Sequence, residues 1–123
     1  MNRILIVEDD EDLVRLATLW LERAGYGVQH APDGPSALKM LAGDPPPAVV
    51  LLDVMLPKMD GFEVLRRIRA EARTRSVPVV MVTSFSRDKD AARGRELGAN
   101  DYIVKPLMEI DFLKRIEHIV KDQ

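Results

Sequence analysis

The sequence contains no cysteine, and this excludes disulfide bonds, thiolate catalysis and cysteine-ligated zinc together. It has only two histidines, His30 and His118, and neither stands at ligand spacing from a partner, so we predict no metal or catalytic role for them. No apolar run approaches the roughly 20 residues that cross a bilayer, and Met1 leads into a strand-like run instead of a signal-peptide core. These absences predict a cytoplasmic location and no membrane contact.

Length and composition indicate one globular domain over residues 1–123. The chain is 46% hydrophobic and 31% charged, which is too apolar for a disordered protein. Its formal net charge is -2, although basic residues gather in two places. They are Arg66, Arg67, Arg69, Arg73 and Arg75, and then Arg87, Lys89, Arg93 and Arg95. Because they stand at helical spacing among acids, we interpret them as solvated helix faces and predict no direct nucleic-acid binding.

Short apolar runs rich in valine and isoleucine recur along the chain. The strong runs cover residues 4–7, 48–52 and 77–82, and weaker ones cover 26–30 and 101–104. They do not alternate with polar residues, which is typical of strands covered on both faces, and this favours a parallel sheet.

Stretches of helical period separate these runs. The first helix is marked by an apolar face that ends before Gly25 and consists of Leu13, Leu16, Ala17, Trp20, Leu21 and Ala24. The markers of the other four are Pro35 as the first residue of the second, Phe62, Leu65 and Ile68 in the third, Ser86 as cap and Gly98 as end of the fourth, and Ile110, Leu113, Ile116 and Val120 in the fifth. Strand followed by helix, five times, predicts an α/β doubly wound sandwich.

Polar residues stand where most of these strands end, which is where open α/β sheets bind ligands. They are Glu8, Asp9 and Asp10 after the first strand, Asp53 after the third, Thr83 and Ser84 after the fourth, and Lys105 with Pro106 after the fifth. Two like charges near 4 Å repel by about 4 kcal/mol at an effective dielectric of 20, so gathered carboxylates need a cation. The oxygen-only ligand set favours Mg²⁺ over zinc.

The same arrangement suits phosphoryl transfer to an aspartate, because this chemistry depends mainly on positioning and charge stabilisation. Mg²⁺ would bridge the Asp53 carboxylate and one phosphoryl oxygen, and Lys105 would pair with a second. The Thr83 hydroxyl or a backbone N–H would donate to the third oxygen. The pattern therefore favours Asp53 as a phosphoryl acceptor.

Four segments, each at the end of a predicted strand, together resemble the response-regulator receiver family. They are residues 4–10 (ILIVEDD), residues 52–61 with Asp53, Pro57 and Asp60-Gly61, residues 82–84 (VTS), and residues 98–106 (GANDYIVKP). The resemblance covers essentially the whole chain. It implies a flavodoxin-like (βα)5 fold with a five-stranded parallel sheet in the order 2-1-3-4-5.

The resemblance also implies a role for each matching residue. These roles are phosphoacceptor for Asp53, Mg²⁺ ligands for Glu8, Asp9 and Asp53 and for the backbone carbonyl of Met55, phosphate-pairing lysine for Lys105, switch hydroxyl for Thr83, and rotamer-changing aromatic for Tyr102. The peptide bond before Pro106 is expected to be cis. Met55 and Phe85, if they flank the phosphoryl group, would hinder water and make the phosphoryl form long-lived.

The implied function is a phosphorylation-activated signalling switch that catalyses only its own phosphorylation and dephosphorylation. A histidine kinase or phosphotransfer protein would donate the phosphoryl group. The face built by helix four, strand five and helix five would then change and act on an output domain or a downstream protein. Asp101 and Arg115 are candidate contacts of a symmetric homodimer through this face.

Two other functions fit a fold of this class. An aspartyl-phosphate phosphatase would carry an Asp-x-Asp motif after its first strand, whereas here the lone acceptor follows the third strand and Met55 takes the second place. A carrier of flavin mononucleotide would need a phosphate loop after the first strand, where this chain has acids that repel the ligand. Turnover of a phosphomonoester would favour the first alternative, and a coloured protein the second.

Overall fold

The computed structural model describes residues 2–43, 45–84 and 88–122. Strands and helices alternate along the chain. They are β1 (Arg3–Val7), α1 (Glu11–Arg23), β2 (Gly27–Ala31), α2 (Gly34–Gly43), β3 (Val49–Asp53), α3 (Gly61–Ala70), β4 (Val79–Thr83), α4 (Asp88–Glu96), β5 (Asp101–Val104) and α5 (Glu109–Lys121). The predicted alternation of strand and helix is confirmed, with boundaries moved by one or two residues.

The five strands form one parallel sheet in the order β2-β1-β3-β4-β5. Chain order reverses at β1, because β2 lies on one side of it and β3 on the other. Every residue of β3 and β4 is buried, which is why these strands read as unbroken apolar runs. The predicted fold class and strand order are confirmed.

Successive residues of each strand point to opposite faces of the sheet, and each face is covered by helices. On one face, alternate strand residues such as Leu5 and Leu52 pack against α2 and α3. On the other face, their neighbours Ile4 and Leu51 pack against α1 and α5, where Phe112 is fully buried. The core is therefore two apolar layers separated by the sheet.

Side-chain caps begin three of the helices. Asp10 accepts hydrogen bonds from the backbone N–H groups of Asp12 and Leu13 at 3.0 and 3.3 Å, and Asp60 accepts one from Glu63 at 3.0 Å. Asp33 caps α2 by accepting from the Ser36 N–H at 2.8 Å, so the helix begins at Gly34, one residue before the predicted Pro35.

Two predictions about exposure are wrong. Leu16 lies on the predicted apolar face of α1 but is 44% exposed. Arg69 belongs to the cluster predicted to be a solvated face, yet its guanidinium turns inward and donates to the carbonyl oxygens of Gly98 and Val77. Helical period identifies which face of a helix points inward, but the neighbouring elements decide which residues of that face are buried.

The predicted cap Ser86 lies outside the described residues, as does Phe85. Over the described ranges, no helix combines the length and the apolar character that crossing a membrane requires.

Candidate functional site

The carboxyl ends of β1, β3, β4 and β5 meet at one edge of the sheet. Pairing of Val7 with Leu52 and of Asp53 with Val82 places Glu8, the residue after β1, beside Asp53 at the end of β3. Thr83 pairs with Val104 at the end of β4, so Lys105 follows at the same level. The parallel register thus brings together side chains that are up to 97 residues apart in the sequence.

Glu8 is an acid held almost out of contact with water, at 2% exposure. Its Oε2 atom accepts hydrogen bonds from the backbone N–H groups of Asp9 and Asp10 at 3.1 and 3.2 Å. Its Oε1 atom lies 3.0 Å from the Lys105 Nζ atom. Both carboxylate oxygens therefore have partners inside the protein.

Asp53 is equally enclosed, at 3% exposure. Its Oδ1 atom accepts a hydrogen bond from the Met55 N–H at 3.2 Å, and its Oδ2 atom lies 3.5 Å from Lys105 Nζ. Gly61 packs against the backbone behind it, where a Cβ atom would stand 2.2 Å from the Asp53 carbonyl oxygen. Only glycine fits there, which explains the Asp60-Gly61 step in the motif.

Lys105 is the cation that faces both buried acids. Its backbone N–H donates to the Thr83 carbonyl oxygen at 2.7 Å, and its peptide bond to Pro106 is cis, as expected. Burial lowers the pKa of the Lys105 ammonium, but Glu8 and Asp53 outweigh this effect and raise it overall. The lysine is therefore charged at neutral pH.

Three carboxylates converge at the site. Glu8, Asp9 and Asp53 each offer an oxygen, and these oxygens lie within 4.8 Å of one another. Burial, with a smaller contribution from the neighbouring Asp53, raises the pKa of Glu8 to about 7 against the lowering effect of Lys105. When all three acids are ionised, they and the one lysine leave two negative charges, and the donors are all hard oxygens, so the site fits one Mg²⁺ ion.

The two predicted switch residues contact each other. Thr83 is fully buried at the end of β4, and its side chain is hydrogen-bonded to the Tyr102 hydroxyl. Tyr102 lies half-buried on β5 and packs against the apolar layer on the α2 and α3 side. Burial raises the pKa of the Tyr102 hydroxyl, and nearby Asp90 adds to the rise.

Two other predicted residues lie at the rim of the site. Asp9 is exposed, so its carboxylate reaches the cluster from the solvent side. The side chain of Met55 is 61% exposed, and its N–H binds Asp53. Glu8, Asp9, Asp53 and Lys105 are thus brought together, with Thr83 and Tyr102 beside them.

Sequence reasoning missed two contacts near the site. The His30 Nε2–H donates to the Glu8 carbonyl oxygen at 2.6 Å, because Ile6 pairs with His30 across β1 and β2. Lys58, which has a positive φ of 69°, pairs with the Asp33 carboxylate at 3.2 Å and joins two loops at this edge. The spacing of residues along the sequence predicts neither contact, because the first depends on which strands pair and the second on which loops become neighbours.

Comparison with known proteins identifies the family. The sequence profile of the response regulator receiver domain matches residues 4–117. The DNA-binding dual master transcriptional regulator RpaA of Synechocystis sp. is 40% identical over 98% of this chain and 50% of its own length. The chain thus spans about half the length of this curated relative, and 26% of the response regulator PleD of Caulobacter vibrioides, to which it is 41% identical over 97% of the chain.

A solved structure agrees with this match. A putative response regulator from Chloroflexus aurantiacus superposes with a TM-score of 0.92 at 32% identity, and the match covers 98% of both chains. The receiver domain of a sensor histidine kinase from Pseudomonas aeruginosa PAO1 superposes with a TM-score of 0.89 at 28% identity over 98% of both chains, and its magnesium ion is coordinated in the active-site cleft. By sequence profile, by curated relatives and by fold, this chain belongs to the response regulator receiver domain family of two-component signalling.

Proposed function

We propose that Asp53 accepts a phosphoryl group from a phosphohistidine of a histidine kinase or phosphotransfer protein, in a Mg²⁺-dependent reaction. The observation that carries this proposal is the convergence of Glu8, Asp9 and Asp53 within 4.8 Å beside the Lys105 ammonium. The three carboxylates repel one another, and only one lysine among the described residues lies beside them. An ion and a phosphoryl group would account for that arrangement.

The transfer is a displacement at phosphorus. One Asp53 carboxylate oxygen forms the new P–O bond while the P–N bond of the donor breaks, and the imidazole keeps the electron pair. When bound to Glu8, Asp9, Asp53 and the Met55 carbonyl, Mg²⁺ supplies charge neutralisation for the transferred oxygens. Lys105, 3.5 Å from the Asp53 carboxylate, pairs with a phosphoryl oxygen, and the Met55 N–H holds Asp53 in place.

The Thr83 to Tyr102 contact is the proposed relay to the surface. The Thr83 hydroxyl would donate to the phosphoryl group while its oxygen accepts from the Tyr102 hydroxyl, and this would favour the inward ring position on β5 over an outward one. Reversal of a two-state equilibrium from 1:99 to 99:1 needs about 5.5 kcal/mol, which a few charge-assisted hydrogen bonds can supply. The α4–β5–α5 face would then act on an output domain or a downstream protein.

The same face is the proposed contact of a homodimer. Within one chain, Arg115 on α5 donates to both Asp101 carboxylate oxygens at 2.9 and 3.0 Å and to Asp111 at 3.0 Å. These pairs order the charges of the face before any partner arrives. Absence of turnover on other substrates and a cytoplasmic location stay predictions.

The proposal is tested by phosphoryl uptake from acetyl phosphate, followed by mass spectrometry of the intact protein. We expect one phosphoryl group on the wild type, sensitive to hydroxylamine as an acyl phosphate should be, and none when EDTA removes Mg²⁺. Asp53→Asn should take up none, because it lacks the nucleophilic oxygen.

Asp12→Asn is the matched control, since Asp12 is an exposed carboxylate on α1 outside the cluster. It should take up the phosphoryl group at the wild-type rate. Equal uptake by Asp53→Asn and the wild type would refute Asp53 as acceptor, and uptake in EDTA would refute the role of Mg²⁺.

A further inference from the structure

The helix that covers the proposed relay has little apolar surface of its own. Helix α4 has the sequence DKDAARGRE, and Gly94 is its only buried residue among those whose burial is described. By comparison, α3 buries Phe62, Val64, Leu65 and Ile68. At Gly94, α4 approaches Met81 on β4 and Tyr102 on β5.

Gly94 faces the Tyr102 ring. A Cβ atom built at this position would lie 3.8 Å from Tyr102 Cδ2, 3.7 Å from Met81 Cγ and 3.8 Å from Ala99 Cβ. All three are ordinary van der Waals distances, so an alanine would fit without displacing any neighbour. Asp90, one turn earlier on α4, interacts electrostatically with the same tyrosine.

Steric need does not account for this glycine. At Gly61 a Cβ atom would clash with the Asp53 carbonyl oxygen at 2.2 Å, whereas at Gly94 it would complete a contact. Glycine within a helix is less favourable than alanine, because it loses more backbone freedom on folding. An alanine at this position would therefore make a packing contact that Gly94 does not make.

We propose that Gly94 is a positioning residue of the switch. In the inward ring position, as in this structure, the Tyr102 ring faces Gly94. Because Gly94 offers no Cβ atom to the ring, this position is only weakly favoured over an outward one. A methyl group here would contact the ring when Tyr102 lies inward and would lose that contact when the ring swings out. Alanine should therefore favour the inward position, and a larger side chain should oppose it by overlap. This inference rests on the proposed relay through Thr83 and Tyr102.

The test uses the fact that the chain has only two tyrosines. With ring-labelled tyrosine, NMR gives one set of signals from Tyr102 and one from Tyr26, which lies next to β2 and serves as the internal reference. Wild type, Gly94→Ala and Gly94→Val are compared with and without Mg²⁺ and beryllofluoride, an analogue of the phosphoryl group. Gly43→Ala is the matched control, because Gly43 also lies in a helix and a Cβ atom there would meet nothing within 4 Å.

For Gly94→Ala we expect Tyr102 signals, in the absence of beryllofluoride, to move toward those of the beryllofluoride-bound wild type. Its affinity for beryllofluoride should rise by at most about fourfold, the factor that one buried methyl group adds to the equilibrium between the two ring positions. Gly94→Val should shift the signals and the affinity in the opposite direction, and Gly43→Ala should change neither.

If Gly94→Ala behaves like Gly43→Ala in both measurements, the inference is overturned even when both variants are more stable than the wild type. The same holds if alanine and valine shift the Tyr102 signals in the same direction. Failure of the wild type to bind beryllofluoride would instead remove the proposed function, and the inference with it.

Discussion

At the carboxyl edge of the sheet, Glu8 and Asp53 share one lysine, whereas at the amino edge the Arg69 guanidinium is surrounded by neutral acceptors. Lys105 lies 3.0 Å from Glu8 and 3.5 Å from Asp53. Arg69 donates to the Gly98 and Val77 carbonyl oxygens at 2.7 and 2.6 Å and to Asn100 Oδ1 at 3.0 Å.

The comparison indicates that the charges at the carboxyl edge serve the proposed chemistry, whereas the charge of Arg69 at the amino edge stabilises the fold. The acids at the carboxyl edge repel each other, so this edge carries negative charge that folding alone does not need. At the amino edge, burial lowers the pKa of Arg69, and its N–H groups find carbonyl partners that tie the end of α3 to the starts of β4 and β5. Substitutions at the carboxyl edge should therefore reduce activity without reducing stability, and substitutions at the amino edge should reduce stability without reducing activity.

The largest effect is expected from Lys105→Met. This change removes the only positive side chain within ion-pair distance of Glu8 and Asp53 among the described residues. The rate of phosphorylation should fall by about 10² to 10³, the usual consequence of removing one donor to developing negative charge. Single-turnover uptake from acetyl phosphate measures the rate, with Lys114→Met on the exposed side of α5 as control. A loss below threefold would show that Lys105 does not stabilise the transferred oxygens.

The next largest effect is expected from Arg69→Met at the amino edge. Methionine keeps most of the volume but leaves the carbonyl oxygens of Gly98 and Val77 without their donor, which should cost about 2 kcal/mol of unfolding free energy. Urea denaturation measures this loss, and phosphorylation by the folded variant should stay near the wild-type rate. Arg66→Met is the control, because the exposed Arg66 pairs with Glu63 at the surface. Equal stability of the two variants would contradict a structural role for Arg69.

The smallest effect is expected on the stability of Asp53→Asn, and it is a gain instead of a loss. Without Mg²⁺ this variant should be more stable than the wild type by about 1 kcal/mol, because it removes repulsion between Asp53 and Glu8 at the loss of only the longer contact to Lys105. Asparagine retains an oxygen for the Met55 N–H. Urea denaturation in EDTA and in Mg²⁺ should show the gain shrink when the ion stabilises the wild type. A variant less stable than the wild type in EDTA would contradict the comparison.

Particular residues show why the carboxyl edge was predictable and the amino edge was not. Asp53 ends β3 and Lys105 follows β5, and parallel strands end at a common edge, so their meeting follows from strand assignment alone. Arg69 stands at the same helical spacing as its exposed neighbours, and nothing local distinguishes it. Its partner Gly98, with a positive φ of 100°, leaves open the space that the guanidinium occupies, since a Cβ atom would lie 2.9 Å from Arg69 Nε.

Leu16 and His30 illustrate the same limit. Both stand where local pattern predicts one thing and neighbouring elements decide another: Leu16 lies at a core position of α1 that no element covers fully, and His30 reaches Glu8 only through the pairing of β1 with β2.

By itself the sequence determined the strands, the helices and the acids at the strand ends, because apolar runs, helical period and caps are local properties of the chain. The tertiary structure alone decided which of those ends became neighbours at contact distance, how deeply Glu8 and Asp53 are buried, and which arginine turned inward. The physical reason is that burial and charge pairing depend on groups far apart in the chain, and their distances exist only once the two apolar layers have packed against the sheet.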